Sequence, residues 1–320
     1  MESERMMVLR MLEEGKITAE EAAALLEALE GEAKTAGRRE DGGPGLRSVL
    51  GELLEALGEG LPLFFAGVAH EVKDVTEGEF PEGEGPVEVR LSATHRVTVQ
   101  GWDEPGYRVE VTGRVRGHHE EEARRMADAA GSVRVEGARL EVARRPGVRV
   151  VSVEAWLPKD RVYDLKLKSA NGRVELYDLE CDQVRAATAN GKICLVDVTS
   201  SRTEAKSANG AIEVRGTCGD LDCRTANGSI RLACSPVGHA NWHLKTLNGS
   251  ISAELDPTAG YDVDAVSSFG KVLISLQGEV VEEEKKAGRT SIRLRTRDFA
   301  EKARRVTISA RTGNGAITLG

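Results

Sequence analysis

Glu204, Asp222 and His243 are separated by 18 and 21 residues. If each interval is one turn of a repeating coil, two carboxylates and an imidazole share an outward column. That arrangement raises one carboxyl pKa and serves general acid–base chemistry, as on β-helical polysaccharide enzymes. The same column opens with Lys166 and Arg185, however, and no second carboxylate pair supports it, so an ionic solvated face is the preferred reading. Two residues further along each unit stand Lys168, Lys206, Arg224 and Lys245, with Ala187, Val266 and Arg311 at equivalent positions. Cations repeated in this way can hold an anionic polymer, a lipid headgroup or an acidic peptide or partner, or simply keep strands soluble.

Cys218, Cys223, Cys234, His239 and His243 are enough donors for zinc. The stretches between them, of 4, 10, 4 and 3 residues, contain no paired Cys-x2-Cys knuckle, and no metal site is expected. Neither a Gly-rich phosphate loop nor a Gly-x-Ser-x-Gly elbow nor a His-Glu-x-x-His motif occurs, so no cofactor and no enzymatic activity are expected.

What must position these columns is a repeat. Ser169-Ala-Asn-Gly-Arg-Val-Glu-Leu176 recurs as Thr188 to Leu195, Ser207 to Val214, Thr225 to Leu232 and Thr246 to Ala253, with weaker copies at Ser267 to Ile274 and Thr312 to Leu319. Its corner pairs are Asn171-Gly172, Asn190-Gly191, Asn209-Gly210, Asn227-Gly228 and Asn248-Gly249, at intervals of 19, 19, 18 and 21 residues. A single Asn-Gly between alternating apolar runs reads as a type I′ hairpin, because both residues tolerate positive φ. A series with one period reads as a solenoid whose units bury their apolar sides only by stacking. The predicted fold is therefore mainly β: a single-stranded parallel β-solenoid (β-helix) with rungs of about 19 residues, preceded by a small α-helical hairpin.

Alternation places Val174 and Leu176, Ile193 and Leu195, Ile212 and Val214, and Ile230 and Leu232 inside. Leu167, Ala186, Ala205, Cys223, Leu244 and Ala265 share that parity, which implies a narrow core. The Ser or Thr two positions before each Asn forms its own column, and the Asn side chains are expected to ladder. The interval of 66 residues from Asn248 to Asn314 leaves room for degenerate rungs.

Residues 1–30 read as a helical hairpin for docking or oligomerisation, with a capping box at Thr18 and Glu21 and a stripe of Ala22, Leu25, Leu26 and Leu29. Residues 31–45 read as a linker, and 46–69 as an amphipathic helix and apolar segment suited to protein contact or self-association, with at most a peripheral membrane role. Residues 85–320 carry the β domain, with 85–160 as an irregular capping part, including a short helix over His119 to Ala130, and 165–320 as the repeats.

Of the net charge of −8, residues 1–60 hold 14 acidic and 7 basic side chains, leaving the rest near neutral. No domain has the basic excess of a phosphate-gripping protein, so nucleic acid is not an expected partner. Glu2 and Glu4 stand where a secretory signal would be basic, which points to the cytoplasm or the membrane periphery. Five cysteines, an odd number, suggest free thiols.

The reiterated Ser/Thr-Ala-Asn-Gly-x-Ile/Val-x-Leu unit, preceded by a strand-rich segment ending in Trp156-Leu157-Pro158-Lys159, resembles the bacterial putative-adhesin β-solenoid domain, also classed as a domain of unknown function. The opening Glu4 to Ala22 resembles the helical, SHOCT-like module found before that domain in LiaX/YvlB-like proteins. The resemblance implies a role in cell-envelope stress and, in some members, surface exposure and binding of cationic peptides; it supplies no catalytic motif. The expected function is a non-enzymatic binding scaffold in envelope homeostasis. The alternatives are a cytoplasmic regulatory adaptor acting through the N-terminal helices and a carbohydrate-active β-helix using Glu204 and Asp222.

Overall fold

The computed structural model describes residues 69–83, 85–116, 133–142, 148–286 and 288–320. The helices and linker expected over residues 1–69, Ala69 of β1 aside, and the short helix over 119–130 lie outside the described residues. What is described is mainly β. The strands are β1 (Ala69–Gly78), β2 (Val87–Ala93), β3 (Arg96–Trp102), β4 (Tyr107–Arg116), β5 (Val133–Glu136), β6 (Arg139–Val142) and β7 (Val148–Pro158). The series goes on with β8 (Val162–Ser169), β9 (Val174–Tyr177), β10 (Glu180–Thr188), β11 (Ile193–Ser207), β12 (Ile212–Asn227), β13 (Ile230–Pro236) and β14 (His239–Asn248). It ends with β15 (Ile251–Leu255), β16 (Gly260–Phe269), β17 (Val272–Ile274), β18 (Gly278–Lys286), β19 (Arg289–Thr296), β20 (Arg305–Asn314) and β21 (Ile317–Leu319).

Parallel pairing builds two layers that meet at the Asn-Gly corners. Layer A runs β6, β2, β8, β10, the second half of β11, the second half of β12, β14, β20 and β16. Layer B runs β7, β3, β9, the first half of β11, the first half of β12, β13, β15, β21 and β17. Side chains at alternate positions of both layers enter one continuous core, in which Val174, Ile193, Ile212 and Ile230 are fully buried, as are Leu167, Ala205 and Cys223. Alternation supplies the apolar stripe, and a coil this thin buries it only because a neighbour lies on each side.

Antiparallel strands extend the stack at both ends. β4 pairs with β7 and β1 with β4, and β5 pairs with β6. At the far end β19 pairs with β16 and β18 with β19.

The corners hold together by three devices. The buried hydroxyls of Thr188, Ser207, Thr225 and Thr246 donate to the carbonyls of Gly172, Gly191, Gly210 and Gly228 at 2.9 to 3.0 Å. Outside them the asparagine amides form a ladder, Asn190 donating to Asn171, Asn209 to Asn190, Asn227 to Asn209 and Asn248 to Asn227, each at 2.8 Å. Glycine is required for closeness. A Cβ on Gly210 would stand 1.8 Å from the Gly191 carbonyl oxygen. Positive φ, the reason a hairpin would need Asn-Gly, is not used: none of these five asparagines and five glycines adopts it.

Two features depart from the sequence reading. The segment before the repeats contains a coil of its own: β2 and β3 lie in parallel register with β8 and β9, and Asn171 N donates to Thr94 O across a corner that lacks Asn-Gly. The rungs also do not stack in chain order. Asn248 pairs with Asn314 rather than with the next repeat, and β20 lies between β14 and β16. The expected degenerate rungs between Asn248 and Asn314 are replaced by one rung displaced to the end of the stack and by the β18–β19 hairpin. Phe269 occupies the corner position of that displaced rung, opposite Asn314. A phenyl ring cannot continue an amide ladder, so the rung that carries Asn takes the interior place.

Candidate ligand-binding face

Within a strand, residues two apart point the same way, and parallel register lines them up across strands about 4.8 Å apart. Both facts follow for the outer face of layer A. Lys168, Ala187, Lys206, Arg224, Lys245, Arg311 and Val266 are successive register neighbours in that order. Lys166, Arg185, Glu204, Asp222, His243, Ser309 and Asp264 form the adjoining column. Both columns anticipated from spacing are therefore brought together, with Arg311 ahead of Val266.

Chemically the face is a lattice of ion pairs. Lys206 Nζ lies 2.5 Å from Glu204 Oε1, and Arg224 donates through Nε and Nη2 to the two oxygens of Asp222 at 2.7 and 2.9 Å. Arg311 donates to Asp264 at 3.1 Å from the neighbouring strand. Burial opposes ionisation of Glu204, but the Lys206 ammonium and the Arg185 and Arg224 guanidiniums outweigh it and hold the carboxyl below its ordinary value. A carboxyl held ionised is the reverse of the raised-pKa acid that the catalytic alternative needs. Ala187, which interrupts the cations, is buried.

The cysteine and histidine cluster disperses. Cys218 Sγ donates to Cys234 Sγ at 3.3 Å in the core, Cys223 is buried further along the same strand as Cys218, and His239 contacts Arg305 at the surface. Among the described residues no group of three or more His, Cys, Asp and Glu side chains is arranged to hold a metal. All five cysteines are free thiols. Burial pushes the Cys181 thiol up to about 12 and raises Cys194 and Cys223 as well.

The outer face of layer B carries residues that the spacing argument did not single out. Trp156 and Tyr177 flank Gln100 from either side in register, and the Trp102 and Trp156 rings lie 6.5 Å apart. Arg108 sits over the Trp156 ring at 5.8 Å. The outward parity of Gln100 and Trp102 beside buried Val97 and Val99 was the available signal.

Residues 151–319, the stretch that forms the Asn-Gly coils, match the model of the Toastrack DUF4097 family. The chain belongs to that family. Residues 3–34 match a SHOCT-like domain. No curated protein matches the chain. Among solved structures, the Toastrack chain is similar to a putative cell adhesion protein from Clostridium sporogenes ATCC 15579, with 11% identity over 78% of this chain and 99% of that one and a TM-score of 0.35. A putative adhesin from Bacteroides fragilis NCTC 9343 gives 8% identity over 78% and 97%, with a TM-score of 0.34. The Toastrack coils thus supply a face of repeating charges. Among the described residues no helix is long and apolar enough to cross a membrane.

Proposed function

We propose that the chain is a non-enzymatic β-solenoid scaffold, adhesin-like in build, that binds an anionic ligand along the outer face of layer A in cell-envelope homeostasis or stress. The observation that carries this reading is the register that stacks Lys168, Lys206, Arg224, Lys245 and Arg311 on one face. Each cation that is paired with a carboxylate must exchange that partner for the ligand, so a single anion gains little and a repeating one gains at each rung that carries a cation. The protein works at the membrane periphery, on the cytoplasmic side.

Co-sedimentation of the full chain with phosphatidylglycerol vesicles, against phosphatidylcholine vesicles, tests the proposal. Binding to the anionic vesicles that weakens with salt and is lost in Lys206→Glu/Arg224→Glu/Lys245→Glu is expected; equal binding by that variant would overturn it. Fractionation of native cells with protease shaving tests the compartment: surface exposure would overturn the cytoplasmic assignment.

The SHOCT-like match over residues 3–34 favours a second reading, a regulatory adaptor that captures its protein partner through those residues. Deletion of residues 1–60 with undiminished partner capture would remove it.

A further inference from the structure

At the end of the stack built from residues 260–296, the two layers stop at different levels. Layer A continues past β16 with β19 and β18, both antiparallel. Layer B stops at β17, which among the described residues pairs only with β21. Layer A is therefore two strands longer, and the end is a step. At the opposite end both layers are extended, layer A by β6 and β5 and layer B by β7, β4 and β1, so the mismatch there is one strand and no coil strand is left as an edge.

The step exposes what sheets normally hide. Ile317 N donates to Lys271 O and Ser275 N to Leu319 O, so the alternate amides, at Val272 and Ile274, face the open edge. Leu273, Val280 and Val281 are 55%, 51% and 57% exposed, and Ile274, Leu276 and Ile292 are only partly covered. An open strand edge beside apolar side chains marks a pairing surface.

We propose that this step is a homodimer joint, in which the β18–β19 hairpin of each of two copies supplies the two strands missing from layer B of the other. A two-fold axis parallel to the strands exchanges the layers and keeps strand direction. It sets the second copy's hairpin on the layer B side of the first, with β18 beside β17. β17 runs opposite to β16 because the corner reverses the chain, and β18 runs with β16 because two antiparallel steps separate them. The new pair is thus antiparallel, and it forms twice. The contact is isologous and closes, and each half is a strand addition.

Other occupants fit less well. A two-fold axis normal to the layers would pair β17 with itself, but it would drive the two β18–β19 hairpins into one volume. Charge also selects the partner edge. β18 carries Glu279, Glu282, Glu283 and Glu284, with Lys285 and Lys286 tied back to Glu283 and Glu284, while the β17 side offers exposed Lys271. The irregular register between Val280 and Glu282 and this charge run disfavour indiscriminate pairing of β18.

Sedimentation velocity of the full chain over a hundredfold concentration range tests the joint. A dimer is expected, and Val280→Lys/Val281→Lys is expected to raise its dissociation constant at least tenfold with unchanged circular dichroism. As a check independent of any folding defect, Leu273→Cys mixed with Val281→Cys should yield a disulfide-linked dimer absent from either variant alone with wild type. A wild-type chain that is monomeric throughout would overturn the proposal. So would a dimer that the double variant leaves intact and that the mixed cysteines do not cross-link.

Discussion

The side-chain amide of Asn314 donates to Asn248 at 2.8 Å across 66 residues of chain. Those two asparagines are neighbours in the corner ladder, although a complete repeat, Ser267 to Ile274, lies between them in sequence. The rung of residues 305–319 is therefore an interior rung of the stack.

Removing residues 305–320 should thus damage the middle of the far half rather than trim its edge. β14 would keep β12 but lose β20, β16 would lose its parallel partner, and the Gly260 and Ile251 amides would lose their acceptors at Arg304 and Ala316, through disorder or deletion. Hydrogen exchange on the truncated chain should show lost protection from residue 239 onward, with residues 162–207 retained. Uniform protection across both regions would refute the insertion.

Thr225→Val keeps shape and removes the hydroxyl that donates to Gly210 O at 2.9 Å. A buried carbonyl left without its partner costs about 1–3 kcal/mol. Urea unfolding should register a loss in that range, and Thr225→Ser should recover most of it. If Val is as stable as Thr, the hydroxyl column does not hold the corners.

Glu204 is held ionised by its cations, so its folded pKa lies below the ordinary 4.5. Its contribution to stability is complete above the ordinary value and is lost as pH falls through the folded one. Lys206→Met removes the closest cation and leaves the burial, so the Glu204 midpoint should move upward in a carboxyl NMR titration. A midpoint that stays in place would mean the Lys206 contact is not formed in solution.

Thiol chemistry should divide the cysteines. Cys181, Cys218, Cys223 and Cys234 are buried, whereas Cys194 is half-exposed on the outer face of layer B. A colourless-to-yellow disulfide reagent should titrate one thiol slowly in native protein and five in denaturant. Rapid reaction of two or more thiols in the native state would contradict the inward placement of the core cysteines.

Much of the fold was legible because its rules are local. The inward parity of Ile193 and Leu195, the Ser/Thr hook and the Asn-Gly spacing each involve residues a few positions apart, repeated at one period. The outward columns were legible for the same reason, since Lys206 and Arg224 share a position within the unit. Their ion pairing was partly legible, because Glu204 and Lys206 are two residues apart on one strand. The β2–β3 coil was not, because its corner runs through Thr94 and His95 and leaves only the alternation of Val89, Leu91, Val97 and Val99 as a signal.

By itself, then, the sequence determined the coil: its length, its inward and outward residues and the chemistry of its corner. Tertiary structure decided the order of the coils. Every unit offers the same alternation and nearly the same hook, so pairwise register alone does not choose among neighbours. The choice falls to long-range terms: Asn314 can extend the amide ladder from Asn248 and Phe269 cannot, and the β18–β19 hairpin can cover only a rung that lies at the end.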